Sequence, residues 1–284
     1  DKEHRRSRQP LLTVDDTPIF LRLITDLFSC GDVASAVNEG LRETCKEVCK
    51  QKGLQPEDGF LTKVLQLQEI LQTRHSVMLL GPAGSGKTTV WKTLAASHNH
   101  NQIKPLTVFE ALNPKAITGD ELYGCMTITK DWKDGVLSII MRSMSKDWAP
   151  YSSHQTSKWI VFDGDIDAMW IESMNSVMDD NKLLTLVSNE RIPLTDAMRL
   201  LFEVHTLQNA TPATVSRAGI LYLNETDIGY NPFIDTWLAL KESEELRNQL
   251  RVAFDTHLPA VLSIMQRQQL CTLVPTQIMN MVQA

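Results

Sequence analysis

Eight consecutive residues constrain this chain more than any other feature. Gly81, Pro82, Ala83, Gly84, Ser85, Gly86, Lys87 and Thr88 fill every fixed position of the pattern G-x-x-x-x-G-K-[ST]. The apolar run Ser76-Val77-Met78-Leu79-Leu80 precedes them, and Thr89 to Ala96 follows with good helix formers and no breaker. Strand, glycine loop and helix thus stand in the order that a phosphate-binding loop needs. Glycines let such a loop turn its N–H groups inward on an anion, and the next helix adds the partial positive charge of its N-terminus. Lys87 is then expected to reach the β- and γ-phosphates, and the Thr88 hydroxyl to hold Mg²⁺, with Thr89 completing the contact set. The bland alternative is a glycine-rich turn between strand and helix, which the complete match in proper flanks disfavours. The expectation is a bound nucleoside triphosphate, ATP or its product ADP, with Mg²⁺.

A second stretch bears on chemistry. Lys158-Trp159-Ile160-Val161-Phe162-Asp163 is an apolar run closed by an acid, downstream of the phosphate loop. Asp163 would complete the Mg²⁺ shell through water. In hydrolysing ring-forming ATPases a Glu follows that Asp and polarises the attacking water. Here the position is Gly164, and Asp165 leaves the strand end in another direction because side chains alternate. A shorter carboxylate at the wrong offset is a poor general base. Nucleotide binding with very slow or no hydrolysis is therefore expected. His205, at the far end of the strand Met198 to His205, stands where a polar residue senses the γ-phosphate; a surface or core histidine is the competing reading.

Composition excludes several classes. The net charge of -6 over 284 residues leaves no electrostatic footprint for nucleic acid. No apolar run approaches the ~18 residues of a membrane span, so no membrane partner is expected. The five cysteines make no even framework. Cys45 and Cys49 lie at helical i, i+4 spacing, but nothing nearby completes a metal site, which favours reduced structural thiols and an intracellular setting. The N-terminus carries no signal-peptide core, and the helix-like end Ile278 to Ala284 lacks a cap, so the sequence reads as a fragment.

In order, residues 1–16 read as a polar tail and 17–74 as a helical lead-in, with helices at about 19–28, 33–52 and 60–74. Residues 75–232 read as a large α/β nucleotide-binding subdomain. Its strands are Ser76 to Leu80, Leu106 to Ala111, Lys158 to Asp163, Met198 to His205 and Ile220 to Leu223. It carries two hairpins, one around Met126 to Gly135 and one around Leu183 to Leu194. Residues 233–284 read as the truncated start of an α-helical lid, punctuated by Pro259 and Pro275. The fold class is thus α/β, a P-loop NTPase with a doubly wound parallel sheet, β-hairpin insertions and a partial helical lid; the resemblance given next implies that it is of AAA+ type.

Several ordered motifs carry a resemblance. They are the loop 81–88, Asn113-Pro114-Lys115-Ala116-Ile117, Glu121-Leu122-Tyr123-Gly124, Trp132-Lys133-Asp134-Gly135 and Trp159 to Asp165. To these add Asp179-Asp180-Asn181-Lys182 and Ala210-Thr211-Pro212-Ala213-Thr214-Val215-Ser216-Arg217. The set resembles the second AAA+ module of dynein heavy chains, over roughly residues 15 to 284. Ser188 to Leu194 and Ser216 to Tyr222 look most like the axonemal outer-arm β-type chains. The resemblance implies a fixed, ATP-binding part of a six-module motor ring that lacks the catalytic Glu, as Gly164 does here. It also implies that Arg217 serves in trans as an arginine finger for the hydrolytic site of the neighbouring module. A guanidinium suits charge on a transferring phosphoryl group, though a local salt bridge is the competing role. Implied partners are the neighbouring modules of the same heavy chain and other dynein chains. Microtubules would be reached only through the stalk and other absent regions. The implied place is the cytoskeleton of the cilium or flagellar axoneme. The family usually has an amide where His205 stands, which sets any sensing role there apart. Whether the chain is itself an enzyme stays open; the alternatives are an independently active AAA+ ATPase or remodeller, and a P-loop small-molecule kinase.

Overall fold

The computed structural model describes residues 38–100, 106–148, 151, 157–267 and 278–283, with 19, 22 and 23. Most of the first expected helix, residues 33–37 and Pro275 lie outside the described residues. Two helices lead in, α1 (Glu39–Gln51) and α2 (Asp58–Thr73). Asn38 caps α1, its side chain accepting from Leu41 N–H, and Gly53 closes the turn after it at φ 67°. Then come β1 (Ser76–Leu80), α3 (Lys87–Asn99) and β2 (Thr107–Leu112). The short helix α4 (Gly119–Tyr123) follows, then the hairpin β3 (Gly124–Met126) and β4 (Trp132–Asp134), and α5 (Val136–Ser145). Next are β5 (Ser157–Asp163), α6 (Ala168–Met178), a second hairpin β6 (Leu183–Thr185) and β7 (Arg191–Pro193), and β8 (Met198–Val204). The order closes with α7 (Pro212–Arg217), β9 (Gly219–Tyr222), α8 (Glu225–Ile228), α9 (Asn231–Ala239), α10 (Glu244–Arg267) and α11 (Ile278–Gln283).

The five long strands form one parallel sheet in the order β2-β5-β8-β1-β9. Alternation along them builds two cores. Val77, Leu79, Trp159, Val161, Leu201 and Leu221 face α1, α2 and α3, packing on Leu61, Val64, Leu67, Trp91 and Leu94. Met78, Ile160, Phe162, Leu200 and Phe202 face the other way, onto Leu137 and Met141 of α5 and Trp170, Ile171 and Met174 of α6. Phe162 stacks on Phe202 (4.8 Å between centroids) and on Trp170 (5.7 Å). Burial on both faces explains why β1 and β5 read as apolar runs, whereas the edge strand β2 alternates.

Three expectations need correction. Pro259 does not punctuate the C-terminal helical stretch; it lies inside α10, exposed, where solvent can satisfy the Asp255 carbonyl that an N–H would otherwise bond. The α4 helix was not foreseen as a helix. It rests on a capping box in which Thr118 and Glu121 satisfy one another's backbone N–H groups. The helix after the phosphate loop also runs further than the expected Ala96, to Asn99. Arg142 on α5 ties both hairpins down, meeting Asp134 (2.9 Å) and Glu190 (2.7 Å). Its guanidinium holds both carboxyls below their usual range.

Candidate nucleotide site

Parallel strands bring the carboxyl ends of β1, β5 and β8 to one edge. Leu80 pairs with Val204 and Tyr222, and Asp163 pairs with Glu203. The phosphate loop, the acid of β5 and the end of β8 therefore sit side by side there. That is where ligands bind in open α/β sheets.

Within the loop, Gly84 (φ 79°) and Gly86 (φ 85°) occupy the left-handed region, Gly86 as the N-cap of α3. Gly81 is fixed by space: a Cβ there would run into the Leu223 carbonyl oxygen and lie 2.9 Å from Ser85 Oγ. Lys87 is the first residue of α3, and its ammonium donates to the carbonyls of Gly81 (2.7 Å) and Pro82 (2.8 Å). Burial pulls that ammonium below its usual pKa, while Glu203, Asp165 and Asp163 pull the other way. Ser85 Oγ is buried and has no hydrogen-bond partner. An orphaned hydroxyl in a glycine cradle at a helix N-terminus fits a phosphate well.

Asp163 lies exposed at the end of β5. Gly164 follows, and a Cβ there would stand 3.0 Å from Asn113 Oδ1, which already accepts from Lys115 N–H (2.9 Å). Asp165 is tied down: its Oδ1 accepts the His205 backbone N–H at 2.7 Å. The structure therefore gives Asp165 a strand-closing bond. His205 is exposed and contributes its backbone to that contact. Sequence reading missed Glu203, a buried acid on β8. It accepts from the Thr88 hydroxyl (2.6 Å) and from the Trp91 indole N–H. The one hint in the sequence was a charge inside an apolar run, at the sheet edge where ligands bind.

A cavity of about 500 Å³ opens from Gly84, Ser85, Gly86 and Thr89 toward Leu54, Ile228, Pro232, Phe233 and Met279. Its apolar walls suit a planar base, with the phosphates on the loop. Cys45 and Cys49 are buried and free, and burial raises the Cys49 thiol to about 11. No group of metal-ligating side chains gathers among the described residues. Thr88 and Asp163 would hold Mg²⁺ only together with a nucleotide's own oxygens. Arg217, at the end of α7, is partly exposed and paired with Asp179 just after α6. The structure brings residues 81–89 and Asp163 together and leaves Arg217 on that separate pair. No described helix is long and apolar enough to cross a membrane.

This arrangement defines a nucleotide-binding P-loop domain of AAA+ type. Residues 76–218 match the family profile described as AAA domain (dynein-related subfamily). Residues 2–88 match the one described as hydrolytic ATP binding site of dynein motor region. Similar proteins include the ciliary dynein beta chain of Heliocidaris crassispina, 49% identical over 275 residues, covering 96% of this chain and 6% of that one. Dynein axonemal heavy chain 17 of Homo sapiens is 48% identical over 254 residues, with 89% and 6% covered. The flagellar outer-arm beta chain of Chlamydomonas reinhardtii is 44% identical over 272 residues, with 95% and 6% covered. The chain belongs to the dynein heavy-chain family and comprises AAA sequence of it. It spans about 6% of the length of these relatives.

Proposed function

We propose that this chain is the second AAA+ module of an axonemal dynein heavy chain, binding ATP or ADP with Mg²⁺ without turning it over. The observation that carries the reading is the edge after β5. Gly164 supplies no base, and the next acid in sequence, Asp165, lies one residue further on with its Oδ1 accepting the His205 N–H at 2.7 Å. Lys87 neutralises phosphate charge, the loop N–H groups and the α3 N-terminus position it, and the cavity takes the base.

In this reading residues 75–232 form the large subdomain and 233–284 begin the lid that covers the cavity. The lead-in 17–74 packs on the large subdomain through α1 and α2. The site is structural within the motor ring. The ciliary and flagellar relatives support a place in the axoneme, with neighbouring modules and other dynein chains as partners. Microtubules are engaged through other regions of the heavy chain.

Arg217 serves the neighbouring module's hydrolytic site in trans. Its partly exposed guanidinium is held by Asp179, a pairing of two half-exposed groups that costs little to exchange for a phosphoryl group. The test is Arg217→Ala in an intact heavy chain. Microtubule-stimulated hydrolysis should fall by about 10³-fold or more, the scale of an arginine finger, with nucleotide at this module retained. Unchanged turnover removes the trans role.

A further inference from the structure

Among the described residues, Glu203 is the one buried carboxylate at the nucleotide edge. It stands on β8 in register with Asp163, and both point to the face where α3 packs. Its two oxygens each take one donor, the Thr88 hydroxyl at 2.6 Å and the Trp91 indole N–H. Lys87 is near enough to feel its charge. Burying a carboxylate is expensive unless it is fully hydrogen-bonded. A leucine would fill this strand position as Leu201 does, without that cost. The set Glu203–Thr88–Trp91 therefore needs an account beyond packing.

We propose that Glu203 is the positioning residue of the metal side of this site, setting the Thr88 hydroxyl for Mg²⁺ and coupling Mg²⁺ to nucleotide affinity. This rests on the nucleotide reading above. A hydroxyl has one proton and two lone pairs. With its proton committed to Glu203, Thr88 Oγ1 keeps its lone pairs for a cation. Asp163 was the expected carboxylate for this edge, yet the Thr88 hydroxyl goes to Glu203. Without a cation, a carboxylate under the phosphates repels them; with one, it helps hold the cation. Glu203 thus makes nucleotide affinity conditional on metal. An amide cannot substitute, because glutamine has one acceptor oxygen for two donors.

The experiment measures the affinity of the 284-residue chain for mant-ADP in EDTA and in saturating Mg²⁺. It uses wild type, Glu203→Gln, Thr88→Val and the double variant. The expected result is a Mg²⁺ enhancement reduced about tenfold or more in Glu203→Gln, with metal-free affinity equal to wild type or tighter. Thr88→Val should lose the same enhancement, and the double variant no more than either. An unchanged enhancement overturns the proposal. So does an equal loss of affinity in both buffers, which is what a purely structural carboxylate gives. A wild-type chain that binds mant-ADP in neither buffer overturns the nucleotide reading as well. A second readout needs no Glu203 variant. Mg²⁺ added to the ADP-loaded wild type should change tryptophan emission, and the change should vanish in Trp91→Phe and in Thr88→Val. Emission indifferent to Mg²⁺ counts against the coupling.

Discussion

If hydrolysis fails for want of a base after Asp163, supplying one should restore part of it. Gly164→Glu is the perturbation, with Gly164→Gln as a control of equal bulk. The φ of Gly164 lies outside the left-handed region, so a side chain meets no backbone strain there. A Cβ would lie 3.0 Å from Asn113 Oδ1 and 3.6 Å from Pro114 Cδ, so Asn113 must shift by a few tenths of an ångström. At worst it loses its 2.9 Å bond to Lys115 N–H, a cost of about 1 kcal/mol at an exposed site. Both variants share that cost, so their ratio isolates the carboxylate. A positioned general base contributes about 10² to 10⁴ in rate, or roughly 3 to 5 kcal/mol of barrier. Because a trans arginine multiplies this factor without replacing it, the ratio should hold whether or not a neighbouring module is present. The assay is single-turnover release of labelled phosphate from Mg-ATP, after each variant is shown to retain nucleotide. Phosphate release should be at least about 10²-fold faster in Gly164→Glu than in Gly164→Gln. Equal rates with nucleotide bound would mean that the missing base is not what stops hydrolysis.

Other consequences follow from single contacts. Gly81→Ala pushes a methyl into the Leu223 carbonyl and toward Ser85 Oγ. It should cost roughly 1–3 kcal/mol by overpacking and weaken nucleotide binding together with thermal stability, as a melt with and without ADP will show. His98 is held neutral between Thr107 Oγ1 (2.8 Å) and Gln68 Oε1 (3.0 Å), and burial lowers its pKa from 6.5. Unfolding lets it take up a proton that the folded state refuses, so its contribution is complete above pH 6.5 and is lost as pH falls below that value. Urea titrations from pH 7.5 to 5 should show this decline, and His98→Gln should reduce it; His75, lowered chiefly by burial, acts in the same direction.

How much of this was legible beforehand varied from element to element. The loop 81–88 and its flanks were readable because each residue type answers a local demand: φ above zero, close approach, a cation, a hydroxyl. β5 was readable from its apolar run and terminal acid, although Ser157 begins it one residue earlier than expected. The five-residue helix at Gly119–Tyr123 escaped because it is too short for a period, although Thr118 and Glu121 stood at capping-box spacing. Pro259 misled because α10 runs through it, on an exposed side where the freed Asp255 carbonyl can reach water. Glu203 was hidden for a different reason. Its meaning lies in the register of β8 against β5 and in the packing of α3, both set by contacts between residues 88, 91, 163 and 203 that are distant in sequence. Likewise the Asp165–His205 bond, which fixes one oxygen of Asp165 at the end of β8, spans a whole helix and hairpin.

The most direct test of the central reading is nucleotide retention and turnover by the purified chain. Bound nucleotide is extracted and identified by chromatography, and phosphate release is then followed with added Mg-ATP, with Lys87→Ala as the control. Retained ADP or ATP with turnover no higher than in Lys87→Ala is the predicted result. Turnover that depends on Lys87 would contradict it, since some group other than a residue at position 164 would then be activating water.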